Sequence, residues 1–282
     1  MTAPRFVAAC VQMRSGRDPA RNRDDAVAGV REAAGRGAAY VQTPEMTSLL
    51  ERNRETLFET IRPEADDATL GALRDVARER RVWVHVGSLA IRNGDKVANR
   101  GFLIDPDGAV AASYDKLHLY DVDLPNGESY RESNTYTGGT CAVVADLPWA
   151  RIGLAICYDV RFPALYRALA EAGAEILTAP AAFTRQTGEA HWHILQRARA
   201  IETGSFMISA AQGGRHEDGR ETYGHSLIVD PWGRVLADAG GAEPGVILAE
   251  IDLGLVTEAR GRVPALRHAR RFTVEAARRA SP

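Results

Sequence analysis

The stretch from Arg151 to Pro163 reads RIGLAICYDVRFP. Ile152 to Ile156 is an apolar run of strand length. Arg161-Phe162-Pro163 opens a helix that should run to Ala172, since proline is tolerated in a first helical turn. Strand, tight turn and helix in so few residues is the repeating step of an α/β fold. Cys157 stands at the junction. A cysteine that only filled a core could sit anywhere along the run. A thiol where strand gives way to a helix N-terminus is placed where it becomes a nucleophile.

The same step recurs on both sides of this stretch. Upstream, RFVAACVQM and AAYVQTPE are strand-like, and RDDAVAGVREAAGRG between them spaces Val27, Val30 and Ala34 as a helix does. DDATLGALRDVARERR puts Leu70, Leu73 and Ala77 on one helical face, and VWVHVGSLAI returns to strand. Two strand runs then flank Asp105-Pro106-Asp107-Gly108, whose second-place proline and fourth-place glycine suit a tight reversal.

The second half starts with two strand runs around Pro148. Past the Arg161 helix come strand EILTAP, a helix through EAHWHILQRARAIE and strand SFMISAAQ. GHSLIVDPWGRVLADAG adds a second reversal at Asp230-Pro231-Trp232-Gly233. Each half thus carries β-α-β-α-β and an Asp-Pro-x-Gly hairpin, which predicts an internal duplication. The strands are apolar on both faces, as expected where helices cover one side and a second sheet the other. No linker, low-complexity tract or block of like charge divides the chain. A single domain over 1–282 is expected, with a C-terminal arm from about 255.

Of the 282 residues, 45% are apolar and 26% charged, the balance of a soluble globular protein. A formal charge of −2 supplies no electrostatic reason for a nucleic-acid or acidic-membrane partner. No apolar run approaches the roughly 18 residues of a membrane span, and MTAPRFVAACVQM enters a strand rather than a leader. Cys10, Cys141 and Cys157 are odd in number and lack C-x-x-C spacing, which argues against a disulfide framework and a cysteine zinc site. A reducing cytoplasm is the expected compartment. Cys10 and Cys141 lie in apolar strand runs and are expected in the core.

Three chemistry-bearing residues follow predicted strands: Glu45 after AAYVQTP, Lys116 after AVAASYD and Cys157 after IGLAI. Ligand sites in α/β sheets gather at that edge. A carboxylate accepts the thiol proton, and an ammonium group lowers the thiol pKa and holds the negative oxygen of a tetrahedral intermediate. Taken singly, each has a plain alternative: an exposed loop glutamate, a surface lysine, a buried thiol.

The segments TPEM, YDKLHLYDVDLP and GLAICYDVRFP, in that order, resemble the three signature regions of the nitrilase superfamily of carbon-nitrogen hydrolases. The likeness extends through GEAHWHILQRARAIE and YGHSLIVDPWG, nearly the whole chain. The resemblance implies an α/β fold, a four-layer α-β-β-α sandwich, paired as a homodimer or higher homo-oligomer. It makes Glu45 the general base, Lys116 the transition-state stabiliser, Cys157 the nucleophile and the Tyr158 backbone N–H an oxyanion donor. Glu132 in YRESN matches the family's second glutamate better than Glu128, with the role of positioning Lys116 and the substrate amide. The implied reaction is cleavage of a small-molecule amide through a thioester, with no metal or organic cofactor.

Within the family, AAFTRQTG and AAQGGRH look most like the branch of ω-amidases and deaminated glutathione amidases. Nitriles, aliphatic amides and N-carbamoyl compounds are the substrates of other branches. Phe183 and Arg185 are the candidate substrate-binding residues, Arg185 as a bidentate partner for a carboxylate; Arg215 is a weaker candidate. His191 and His193 form an H-x-H pair, but residues two apart on a helix diverge, so a zinc pair is not expected there. His216, with Glu217 and Asp218, resembles a polar loop. GHSLI lacks the spacing of a serine elbow. A non-catalytic scaffold of the same fold is the alternative from another class, and the intact Glu45, Lys116 and Cys157 count against it.

Overall fold

In the computed structural model, which describes residues 3–125 and 127–276, strand β1 (Arg5–Gln12) faces two ways. Phe6, Ala8 and Cys10 enter one core, while Ala9 and Val11 enter another. That alternation, inherent in a strand's period of two, sets the layering of the molecule. Ala9 and Val11 meet Val30 and Ala33 of helix α1 (Pro19–Gly35), together with Leu70, Leu73 and Val76 of α3 (Ala68–Arg80). Between them lies the short α2 (Arg54–Thr60). Phe6, Ala8 and Cys10 instead face a second sheet, backed by α4 (Pro163–Glu171) and α5 (Arg185–Thr203). The result is helix, sheet, sheet, helix.

The first sheet takes β1, β2 (Tyr40–Gln42) and β3 (Trp83–Asn93) in parallel, then β4 (Lys96–Ile104) and β5 (Val110–Asp115) antiparallel. After β5 come the small ribbon β6 (Asp121–Asp123) and β7 (Ser129–Arg131), and β8 (Tyr136–Thr137), which pairs with β4. The second sheet begins with β9 (Val143–Asp146), antiparallel to β10 (Arg151–Leu154). Strands β10, β11 (Ile176–Thr178) and β12 (Phe206–Ser209) run parallel. The ribbon β13 (Gly213–Arg215) and β14 (Glu221–Tyr223) leads to β15 (Leu227–Val229) and β16 (Val235–Asp238), both antiparallel. Finally β17 (Gly245–Asp252) returns to the first sheet beside β1, with Arg5 opposite Asp252 and Gln12 opposite Gly245.

Both sheets therefore share one order: an antiparallel edge strand, three parallel strands, then an antiparallel hairpin. The duplication expected from the sequence holds down to the turns. Asp105 accepts from the backbone N–H of Asp107 and Ala109, and Asp230 from those of Trp232 and Arg234. Gly108 and Gly233 take positive φ at matching places.

Local signals start and stop the helices. Asp18 caps α1 ahead of Pro19, and Asp67 caps α3 through the Leu70 N–H. The left-handed Gly204 ends α5. Helix α4 begins at Pro163 rather than Arg161, because Cys157–Arg161 forms a separate 3-10 turn. The segment from about 255 overlaps α6 (Gly254–Arg262), whose Val256 and Ala259 are buried. Cys10 is core as expected, but Cys141 is exposed. Its apolar run enters the sheet only at Val143, so Cys141 lies in the irregular approach to the strand.

A polar knot sits inside the sandwich. The Tyr40 hydroxyl lies 2.7 Å from His85 Nδ1, and Gln42 Nε2 donates to the same nitrogen at 3.0 Å. Gln42 Oε1 crosses to the second sheet, accepting from the Ala210 N–H at 2.7 Å. Burial lowers His85 to about 3, so it stays neutral in the folded chain. The unfolded chain binds a proton near pH 6.5 that the folded chain refuses. Stability is therefore full above pH 6.5 and declines as pH falls toward 3, by on the order of 4 kcal/mol. Urea unfolding of the His85→Gln variant should show a shallower decline over that window; an unchanged slope excludes His85 as its source.

Candidate active site

Glu45 leaves β2 through Thr43-Pro44, a turn tied down on every side. The Thr43 and Thr47 hydroxyls lie 2.8 Å apart, Thr47 donates to the Pro44 carbonyl, and the Met46 N–H donates to Ser88 Oγ. Gln212 Nε2 donates to the Glu45 carbonyl at 3.1 Å. Gly87 passes so close beneath that a Cβ there would stand 2.2 Å from the Thr43 carbonyl oxygen.

Lys116 follows β5, its N–H donating to the Asn99 carbonyl of β4 at 3.0 Å. Cys157 follows β10 with φ of +47°. For a residue with a side chain, that left-handed backbone costs about 1 kcal/mol. The Cys157 N–H donates to the Pro180 carbonyl at 2.9 Å.

These side chains meet. Lys116 Nζ donates to Glu45 Oε1 at 2.9 Å and to Glu132 Oε2 at 2.9 Å, with all three buried or nearly so. Glu45 Oε2 accepts from the Ala182 N–H at 2.8 Å. The Cys157 thiol lines the same cavity as the Glu45 carboxylate, and each shifts the other's pKa. Glu132 is thus the second glutamate on Lys116, and its Oε2 also accepts from the Tyr120 N–H at 2.6 Å. Glu128 instead accepts from Tyr130.

The electrostatics depart from the expectation of an acidified thiol. Burial, joined by the negative Glu45, pushes the Cys157 thiol well above its ordinary value, and Lys116 only partly opposes this. Burial also works against ionised Glu45, yet the Lys116 charge and the hydrogen bonds from Cys157, Lys116 and Ala182 leave its carboxyl below the usual range. Burial opposes the Lys116 charge too, but Glu132, Glu45 and Cys157 raise it well above normal. At neutral pH the set is a thiol, a carboxylate and an ammonium. Such a set forms the thiolate only as its proton passes to Glu45.

Two buried residues that the sequence analysis left without a role hold this arrangement. Asn99 Nδ2 donates to Glu45 Oε1 at 2.9 Å and to Glu132 Oε1 at 3.2 Å. The Asp159 carboxylate, fully buried, accepts from the Tyr114 hydroxyl, the Ile156 N–H and the His118 N–H, at 2.7 to 3.1 Å. It thereby ties the Cys157 turn to the segment after Lys116. The sequence signal was there, an aspartate two places past the cysteine in CYD, but its partners lie 41 and 45 residues away. Replacing Asp159 by Asn keeps the size and turns an amide donor toward donors. Turnover should fall by about tenfold or more, and stability by about 1–3 kcal/mol. Unchanged kinetics would remove Asp159 from the positioning network.

Glu45, Lys116, Glu132, Cys157 and Tyr158 line one cavity of about 290 Å³, near the small end for ligand sites. Phe183 lines it as well, with Thr184 and Thr187. Arg185 does not: its guanidinium is held outside by Glu189 at 2.9 Å and Glu221 at 2.7 Å. It sits in the exposed first turn of α5, turned from the cavity. Arg215 borders a separate, smaller cleft. The arginines on the wall are Arg52, Arg131 and Arg220, which no local pattern singled out; Arg131 is paired with Asp123 and Arg220 with Asp218. His191 and His193 diverge as expected, toward Arg161 and Asp238 respectively. His216 lies in the connection between β13 and β14, as expected of a polar loop, and is buried there, bonded to the Ser15 carbonyl and Thr222.

Residues 7–261 match the sequence model of the carbon-nitrogen hydrolase family. The deaminated glutathione amidase of Mus musculus is 44% identical over 248 residues, 86% of this chain and 76% of that protein. The C. elegans NitFhit protein superposes with a TM-score of 0.87 at 36% identity over 96% of this chain, which spans 66% of that longer one. Nit3 of Saccharomyces cerevisiae, a member of branch 10 of the nitrilase superfamily, gives a TM-score of 0.83 at 26% identity, covering 93% of this chain and 96% of its own.

Proposed function

We propose, from the premise that this chain belongs to the carbon-nitrogen hydrolase family and is an amidase, that it cleaves the amide of a small carboxylate-bearing substrate. Deaminated glutathione, or the ω-amide of an α-keto acid, is the substrate class this reading favours. The relatives carrying the first of those names support it, as does Arg52 on the cavity wall, whose guanidinium donates to the Tyr130 hydroxyl rather than to a carboxylate.

The observation that carries the mechanism is the convergence of Glu45, Lys116 and Cys157 on one cavity, with Lys116 Nζ 2.9 Å from Glu45 Oε1. As the sulfur attacks the amide carbon, its proton passes to Glu45. The carbonyl oxygen takes up negative charge beside Lys116 and the Tyr158 N–H. Collapse breaks the C–N bond, and the leaving nitrogen departs as amine or ammonia with the Glu45 proton. Water, deprotonated by the freed Glu45, then attacks the thioester, releasing the acid and restoring the thiol. Glu132 and Asn99 hold Lys116 and Glu45 in place throughout. No step calls for a metal or organic cofactor.

Residues 1–282 act in this reading as one domain that pairs as a homodimer in the cytoplasm. Among the described residues no helix is long and apolar enough to cross a membrane.

The test is product release across deaminated glutathione, α-ketoglutaramate, an aliphatic amide, a nitrile and an N-carbamoyl amino acid. Turnover concentrated on the first two is the expected result. Turnover confined to the nitrile or the carbamoyl compound would overturn the substrate assignment while leaving the thioester chemistry standing.

A further inference from the structure

Away from the cavity, the structure brings together two histidines and an aspartate from three separate elements. His193 lies on α5, His225 just before β15 and Asp238 at the end of β16. His193 Nε2 is 3.0 Å from Asp238 Oδ2, and His225 Nδ1 is 3.1 Å from that same oxygen. One ligand atom from each residue lies within 4.8 Å of both others, the one such grouping of three among the described residues. The geometry points to a site for a single divalent transition metal of the zinc class, outside the catalytic cavity.

Imidazole nitrogen and carboxylate oxygen bind zinc at about 2.0–2.2 Å. Tetrahedral ligand atoms then stand roughly 3.3 Å apart, a few tenths of an ångström beyond the present spacing of each imidazole nitrogen from Asp238 Oδ2. The ligands are already held. The His225 backbone takes φ of +54°, its N–H donates to the Gly240 carbonyl, and its carbonyl accepts from Trp192 Nε1 at 2.8 Å. Asp238 Oδ1 accepts from the Gly240 N–H at 2.8 Å, which orients the carboxylate. The Tyr223 ring stacks on His225 at 4.3 Å.

Without metal the two rings donate to the carboxylate. A ring nitrogen binds metal only without its proton, so metal at these two atoms leaves the N–H of each ring on the opposite nitrogen. The three side chains are between a fifth and a third exposed. That exposure gives an ion a path in and leaves a fourth position for water, the coordination of three protein ligands and one open place. The H-x-H spacing of His191 and His193 does not build this site. Its second histidine is supplied by the stretch YGHS, 32 residues on.

The experiment is calorimetric titration of Zn²⁺ and Co²⁺ into a chain carrying Cys157→Ala and Cys141→Ser, which removes the catalytic and the exposed thiols as competitors. One equivalent should bind. Loss of an outer partner of a metal ligand typically costs 10–100-fold in affinity. His193→Ala or Asp238→Asn, each removing a ligand itself, should therefore weaken binding by more than about 100-fold. Thermal unfolding provides the second reading: zinc should raise the midpoint of the parent and not of either variant. Asp238→Asn keeps the shape of the side chain, so it decides the matter even if His193→Ala folds poorly. No saturable binding by the parent, or equal binding by the parent and Asp238→Asn, overturns the assignment.

Discussion

Cys157→Ala is expected to lower turnover by about 10,000-fold or more, with an unfolding midpoint within a few degrees of the parent. The first half follows from the chemistry: without sulfur there is no thioester, and a nucleophile acting in a cooperating set takes nearly the whole rate with it. The second half follows from the backbone. The left-handed φ at position 157 strains cysteine and alanine alike, since both carry a Cβ. The substitution therefore leaves the strain where it was and removes one buried sulfur atom. Steady-state kinetics and circular dichroism read the two parts separately. Intact-mass spectrometry of the parent, quenched during turnover, should show an acyl adduct that the variant lacks. Turnover within tenfold of the parent would end the nucleophile assignment.

The second large effect belongs to Lys116→Met. Among the described residues, Lys116 is the one cation that pairs with both Glu45 and Glu132, which are almost sealed from water. Removing it leaves two desolvated carboxylates with uncompensated charge, a change that typically costs 3–5 kcal/mol. Turnover should fall by orders of magnitude as well, because the developing oxyanion loses its cation.

The pH dependence should invert. In the parent, Glu45 has a carboxyl lowered by folding, so its contribution is present above the unfolded value near 4.3 and is lost as pH falls through the folded value. Lys116 is raised, so its contribution is full below about 10.4 and is lost as pH climbs through the folded value. In the variant, burial acts on Glu45 without the lysine, and its carboxyl rises above the unfolded value. Measured against the parent, which carries the same His85 decline, the variant's stability should then improve as the solution is acidified from pH 7.5 toward 5. Urea titrations at those two pH values test this directly. A Lys116→Met chain that is as stable as the parent at pH 7.5 would contradict the buried triad. Adding Glu132→Gln should return part of the lost stability, since one of the opposed charges is then gone.

Periodicity alone revealed the strand-helix alternation and both Asp-Pro-x-Gly turns, because those signals are local. The positions of Glu45, Lys116 and Cys157 at strand ends were equally plain. Their meeting was not. It depends on how the two sheets stack, and only the likeness of TPEM, YDKLHLYDVDLP and GLAICYDVRFP to a known family pointed there. Asn99 escaped notice because a polar residue within a strand run resembles one facing solvent until its register is known. Arg185 misled for the converse reason: it stands next to cavity residues Phe183 and Thr184, yet the start of α5 swings it toward Glu189 and Glu221. The ribbons β6–β7 and β13–β14 are three residues per strand, too short for an alternating pattern to register.

Glu45 and Lys116 ride on the first sheet's strand ends, and Cys157 rides on the second's. Bond making therefore spans the seam of the sandwich, and the gap from sulfur to carboxylate is only as constant as the alignment of one slab upon the other. Loosening that seam far from the cavity, for instance where Phe6 stacks on Trp149, would let the slabs slide. Such a lesion should announce itself as slowed acylation while the melting curve still looks healthy.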